Sequence, residues 1–242
     1  MRARPGLRIL TAALLTAIAP AVAQEKAPIV VELLTSQGCS SCPPANEYFA
    51  ELVRRPDTVA LSFHVDYWNY LGWVDPFSSK KATYRQKTYA MTLRQVRVFM
   101  PKIVIQGRRG EVGSDRRAVD AAIRDMQKTK PFVSVALEKL AANRVRAAIG
   151  AATEAKGAEI WIYLFDRRQS TKIDRGENQG RTLVHHNVVR DWRKIGDHGG
   201  EKMELTAATV DEKGQKRNGV AVVVQQAKVG PIWGAAILYL ED

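Results

Sequence analysis

Apolar residues fall in short runs along the first half of the chain, at 29–34, 59–65 and 102–106, with a shorter candidate at 111–113. Runs of this length, bounded by polar or Gly/Pro positions, predict strands buried on both faces. Between them, 43–54, 78–92 and 115–127 have helical character. Pro43 and Pro44 suit a first helical turn, where backbone donors lack intrahelical partners, and Tyr48, Phe49 and Leu52 offer a packing stripe. Ser114 is placed to cap the last helix. Strand, helix and strand in immediate succession favour parallel pairing of 29–34 with 59–65. Beyond Pro131 the texture changes. Segments 133–137, 145–149, 159–165, 203–210, 220–226 and 235–240 read as strands separated by Gly-rich or charged turns, the pattern of an antiparallel module. The expected class is α/β, with one domain over 24–130 and an antiparallel β-rich, sandwich-like module over 131–242. No repeat or low-complexity linker separates them, so the two parts are expected to pack together.

The N-terminus adds an address. Arg2, Arg4 and Arg8 precede or flank an apolar run from Ile9 to Ile18, and Ala21, Val22 and Ala23 offer small residues for cleavage. Residues 1–23 therefore read as a secretory signal peptide, with an uncleaved anchor as the alternative. The expected location is periplasmic or secreted. The run from Ile9 to Ile18 is too short to span a bilayer comfortably, and no later stretch approaches the ~18 uninterrupted apolar residues of a transmembrane helix. The chain carries a formal charge of +12, and loss of the leader removes three arginines and no acid, leaving it basic. The remaining charges are scattered in pairs such as Arg108-Arg109, Arg116-Arg117 and Arg167-Arg168. With no nucleic-acid motif among them, a solvated surface is the better reading and no nucleic-acid partner is expected.

Chemistry concentrates at the two cysteines, Cys39 and Cys42, in Cys39-Ser40-Ser41-Cys42 after the first predicted strand. A disulfide closing so short a loop contributes only about 2 kcal/mol in the chain-entropy description. A purely structural role is poorly motivated by that figure. The pair reads first as a dithiol that cycles to a disulfide, second as a static disulfide, and third as half of a soft-metal site, copper for example. A four-thiolate metal site would need a second pair, and the sequence has none, so no metal or other cofactor is expected. Ser-His-Asp order, paired glycosidase acids, a Walker loop and a dinucleotide fingerprint are all missing.

Three further concentrations deserve roles. The aromatic stretch Phe63, Tyr67, Trp68, Tyr70, Trp73 and Phe77 follows a strand whose C-terminal end should lie on the edge that carries Cys39, where α/β sheets form ligand crevices. Tyr67 and Trp68 are candidate partner contacts there, although a long loop also needs aromatics to pack itself down. His64 and Asp66 share a strand face and could form an acid-base or hydrogen-bonded pair. His185 and His186 face opposite ways if extended, so one at most approaches the first domain.

The stretch 31–45, Val-Glu-Leu-Leu-Thr-Ser-Gln-Gly-Cys-Ser-Ser-Cys-Pro-Pro-Ala, and 62–68, Ser-Phe-His-Val-Asp-Tyr-Trp, resemble the secreted bacterial family catalogued as domain of unknown function 1223. The likeness continues through Gly113-Ser114-Asp115-Arg116, Arg181-Thr182-Leu183 and Asn187-Val188-Val189-Arg190. The Cys pair at a helix start and Pro101 before a strand also look like a thioredoxin-like fold. That resemblance implies roles. Cys39 would be the outer nucleophile, favoured as thiolate by unpaired N–H groups and the positive end of the helix beneath it. Cys42 would resolve the mixed disulfide. Pro101 would be cis and would place the Met100 backbone against an extended substrate. Glu32 would be a buried acid taking the resolving thiol's proton, but it lies seven residues before Cys39 where six is usual; a merely hydrogen-bonded Glu is the other reading. The leading expectation is an exported thiol-disulfide oxidoreductase acting on protein or small-molecule thiols and disulfides without a bound cofactor. A thioredoxin-like binding module with a static disulfide, and soft-metal handling, are the alternatives.

Overall fold

A strand apolar on both faces requires a layer on each side, and β1 (Ile29–Thr35) is buried at every position. The computed structural model describes residues 27–129 and 133–240; the expected signal peptide and the residues 130–132 at the expected boundary lie outside them. α1 (Pro43–Val53) follows, with Pro in its first turn as expected. β2 (Thr58–His64) then pairs parallel to β1 from Ile29 opposite Thr58 to Thr35 opposite His64. α2 (Lys80–Thr92) is capped by Ser79, whose hydroxyl accepts from the Ala82 N–H. β3 (Lys102–Ile105) lies antiparallel to β1 on its other side and forms a hairpin with β4 (Arg109–Val112). α3 (Arg116–Met126) closes this half. Its cap is Asp115 rather than the expected Ser114, because the Asp115 carboxylate reaches the Ala118 N–H at 3.0 Å.

The second half is β-rich. β5 (Val135–Leu140), β6 (Arg144–Ile149) and β9 (Met203–Ala208) form a three-stranded antiparallel sheet. β7 (Glu159–Lys172), β8 (Thr182–Asp197), β10 (Gly219–Gln225) and β11 (Ile232–Tyr239) do something else. They extend the first sheet to eight strands in the order β11-β10-β7-β8-β2-β1-β3-β4, through a parallel contact of Ser62 with Val188. The fold is thus α/β with a large mixed sheet and a second antiparallel one. β8, with 16 residues, was legible in the sequence only as a polar patch around His185 and His186. Its alternation is broken by register shifts against β7 and by buried His185, Asn187 and Asp191.

Three cores result. α1 and α3 pack Tyr48, Phe49, Val119 and Ile123 on one face of β1 and β3. The small sheet packs Val145, Ala147 and Ile149 on Ile160, Ile162, Val220 and Val222, a sandwich in miniature. The third core holds Val30, Leu34, Phe63, Tyr89, Tyr163 and Val223, residues from both halves. Gln106 ties its rim: its side chain accepts from the Val30 N–H and donates to the Ile232 carbonyl at 2.9 Å. The large sheet therefore curls until the end of β3 meets the start of β11, far apart in strand order, at Gln106.

Candidate functional site

Cys39 and Cys42 are joined in a disulfide with their Cα atoms 5.4 Å apart. The turn follows from the chain: β1 ends at Thr35, Ser36 folds its hydroxyl under the Gly38 N–H, and Cys42 stands at the N-cap of α1. Pro43 and Pro44 occupy the first two helical positions and carry no N–H. The unpaired donors that the resemblance implied beneath Cys39 are reduced accordingly. The Ser41 hydroxyl, 3.3 Å from the Cys39 sulfur, is the polar group placed to meet charge there.

Access is the surprise. Cys39 is 2% exposed and Cys42 fully buried, while Ser40 and Ser41 face solvent. The cover is the tip of the β7–β8 hairpin, the Gly-flanked sequence Gly176-Glu177-Asn178-Gln179-Gly180. Asn178 Nδ2 donates to the carbonyls of Gln37 and Cys39, each at 2.9 Å. The Glu177 carboxylate accepts from the Ser40 N–H at 3.0 Å, and that bond holds its carboxyl below the usual range. Gln37 is gripped on both sides, donating to Thr171 on β7 and accepting from the Trp73 indole. The sequence offered only a turn here; nothing in it says that this turn reaches across 139 positions to Cys39.

Other candidates sort themselves by distance from the sulfurs. Trp68 lies against the Cys loop, its Cδ1 3.4 Å from where a Gly38 Cβ would stand. Tyr67 turns inward, packing on the core that Val30 and Tyr89 share. The Met100–Pro101 peptide is cis, and the Pro101 carbonyl accepts from the Gly113 N–H at 3.0 Å, where a side chain on Gly113 would press on both Pro101 and Ala45 in the first turn of α1. Met100 packs on the core side. Glu32 points away from α1. It makes two 2.7 Å hydrogen bonds with Arg85 and a third, at 3.0 Å, with the Tyr89 hydroxyl. Arg85 also reaches Gln225 on β10 and lies over the rings of Phe63, Tyr89 and Tyr163. A carboxylate so engaged, on the face opposite α1, is not placed to receive a proton from Cys42.

His64 pairs with Asp75 at 2.6 Å instead of with Asp66, whose carboxylate accepts from Thr83. Burial opposes the Asp75 charge, yet His64 and the N–H groups of Gln37 and Phe77 hold its carboxyl below the ordinary range. His185 packs on His64 with ring centroids 4.6 Å apart, and burial drives its imidazole down to about 3. Among the described residues, no three His, Cys, Asp or Glu side chains converge as a metal site would require.

With this geometry in view, the likeness read in the sequence can be tested over the whole chain. A family model described as "Protein of unknown function (DUF1223)" matches residues 30–225. The chain belongs to that family. A crystal structure of a protein from Agrobacterium tumefaciens, solved in a structural genomics programme, is 33% identical and superposes with a TM-score of 0.79, covering 91% of this chain and 97% of that one. The DUF1223 fold described above is therefore shared almost end to end. A β-glucosidase from Bifidobacterium adolescentis aligns with a TM-score of 0.20 at 16% identity, over 45% of this chain and 17% of that one, a similarity too slight to bear on fold or function. No curated protein matches the chain. No described helix is long and apolar enough to cross a membrane.

Proposed function

We propose that this protein is an exported thiol-disulfide exchange protein with a thioredoxin-like first half. The observation that carries the reading is the disulfide between Cys39 and Cys42 at the N-cap of a helix that follows a central strand. The element order β1-α1-β2-α2-β3-β4-α3, with β1 parallel to β2 and antiparallel to β3, supports the architecture.

In the oxidised protein a partner thiolate attacks the Cys39 sulfur, and the Cys39–Cys42 bond breaks to leave a mixed disulfide and a Cys42 thiolate. A second thiolate from the partner, or from a small thiol, then displaces Cys39. The partner is oxidised by two electrons and the protein is left as a dithiol. The reverse sequence reduces a partner disulfide, with Cys42 attacking Cys39 to release it. The start of α1 and the Ser41 hydroxyl favour the thiolate. Exchange requires the β7–β8 tip to lift from Ser40 and Cys39. Trp68 flanks the opening so made.

Replacing Cys42 by Ser should trap mixed disulfides with partners or glutathione, while Cys39→Ser traps none. Equal trapping by both variants, or by neither, contradicts the assignment. A second reading, a binding module with a static disulfide, is favoured by the burial of both cysteines. It predicts that both variants keep their partner and form no covalent adduct.

A further inference from the structure

Away from the cysteines, the far end of α1 meets the second half of the chain in an open pocket of about 650 Å³. Arg54 from the α1 C-cap, Arg167 and Arg168 from β7, His186 and Asn187 from β8, and Tyr239 from β11 line it, and no acidic side chain does among the described residues. None of the three arginines has a carboxylate partner among the described residues, although Arg55, Arg116, Arg190 and Arg217 nearby all do. The fold brings like charges together here, and no carboxylate among the described residues answers them. His186 feels the result: burial first, and then the charges of Arg168 and Arg54, push its imidazole below its ordinary value.

The floor of the pocket makes a second and independent demand. Asn187 is 1% exposed and adopts a left-handed conformation, φ 45°, where β8 meets β2. Its Nδ2 donates to the Ala60 carbonyl at 2.9 Å and to the Tyr239 hydroxyl oxygen at 3.1 Å. Two consequences follow. The Asn187 Oδ1 is left buried without a donor, which native structures seldom tolerate without a ligand or water supplying one. The Tyr239 O–H, its oxygen already accepting, is free to donate, and the Arg167 guanidinium lies 4.8 Å above its ring.

From these residues we infer a binding site for a phosphate group carried next to a hydroxyl. Guanidinium forks and the Tyr239 O–H meet the phosphate oxygens, and the ligand's hydroxyl donates to Asn187 Oδ1 once a side-chain shift at the floor opens that atom, which is closed to solvent here. A glycerophosphoryl group has this chemistry, whether it comes as a free phosphoester or as a phospholipid headgroup.

The test uses the full chain and two probes, glycerol 3-phosphate by calorimetry and phosphatidylglycerol vesicles by co-sedimentation, with glycerol as an uncharged control and vesicles of zwitterionic phosphatidylcholine, whose headgroup carries no hydroxyl, as a net-neutral one. A pocket variant, Arg167→Gln with Arg168→Gln, is compared with a control that removes the same charge from an exposed loop, Arg94→Gln with Arg97→Gln. All four side chains are exposed, and melting curves check that both variants fold. The expected result is binding of at least one probe that weakens tenfold or more in the pocket variant and stays unchanged in the control. Binding of glycerol 3-phosphate identifies a soluble ligand, and binding of vesicles alone identifies a headgroup. Equal weakening in the two variants, or no binding of either probe, overturns the site.

Discussion

The inner face of β1 and the loop that follows its end carry opposite kinds of polar chemistry. On the inner face Glu32, Arg85, Tyr89 and Gln225 satisfy one another beneath a layer of aromatic rings, and all four are buried. At the strand's end the Cys39–Cys42 loop is also buried, but its cover is a hairpin tip held by a few hydrogen bonds to main-chain atoms. Removing charge from the first leaves an uncompensated ion in an apolar interior. Opening the second exposes groups that water can satisfy. The inner network is therefore structural, and the loop is where motion and chemistry can occur.

The largest effect that can break this comparison is Arg85→Met. It strands the Glu32 carboxylate and should cost about 3–5 kcal/mol of stability, read by denaturant unfolding. Glu32→Gln should also destabilise but leave the pH dependence of thiol exchange unchanged; a shifted profile would restore Glu32 to the chemistry. Next comes His185, a buried imidazole held near 3 while its unfolded counterpart titrates near the ordinary histidine value of 6.5. The unfolded chain gains a proton first as pH falls, so stability should decline from about pH 6.5 toward pH 3, by up to about 1.4 kcal/mol per pH unit. His64 and Asp75 face the same group, the charge of His186 acts on it from the opposite face of β8, and Asp75 adds its own loss below pH 3.8. His185→Leu should flatten the first decline, as measured by melting at fixed ionic strength.

Smaller effects sharpen the picture of the covered loop. Asn178→Ala removes two hydrogen bonds from the hairpin tip, about 1–3 kcal/mol, and should speed reduction of the disulfide by a phosphine about tenfold or more. Glu177→Gln should act in the same direction with a smaller increase. Ser41→Ala should slow exchange only a few-fold, with the cover left in place. Unchanged rates in the Asn178 variant would mean that the tip does not gate the sulfurs.

Local pattern made the strands and helices of the first half legible, because each is long enough to bury a continuous apolar face. The Cys pair stood out for the same reason of proximity. Glu32 misled: one extra residue in the loop reverses the face of β1 on which the acid lies, and the sequence does not show which partner waits there. Arg85, Asp75, Glu177 and Asn178 were missed because their contacts are set by tertiary closure. β8 was obscured by polar residues that the fold buries, and the joining of the two halves into one sheet rests on its passage beside β2.

The most direct test of the account is the reduction potential of the Cys39–Cys42 pair, obtained by equilibrating the folded protein with glutathione buffers and counting free thiols. A thiol-disulfide exchange protein predicts a value above about −230 mV, within the range of known exchange catalysts. A value below about −300 mV, where structural disulfides lie, would contradict it and leave a binding module whose disulfide never turns over.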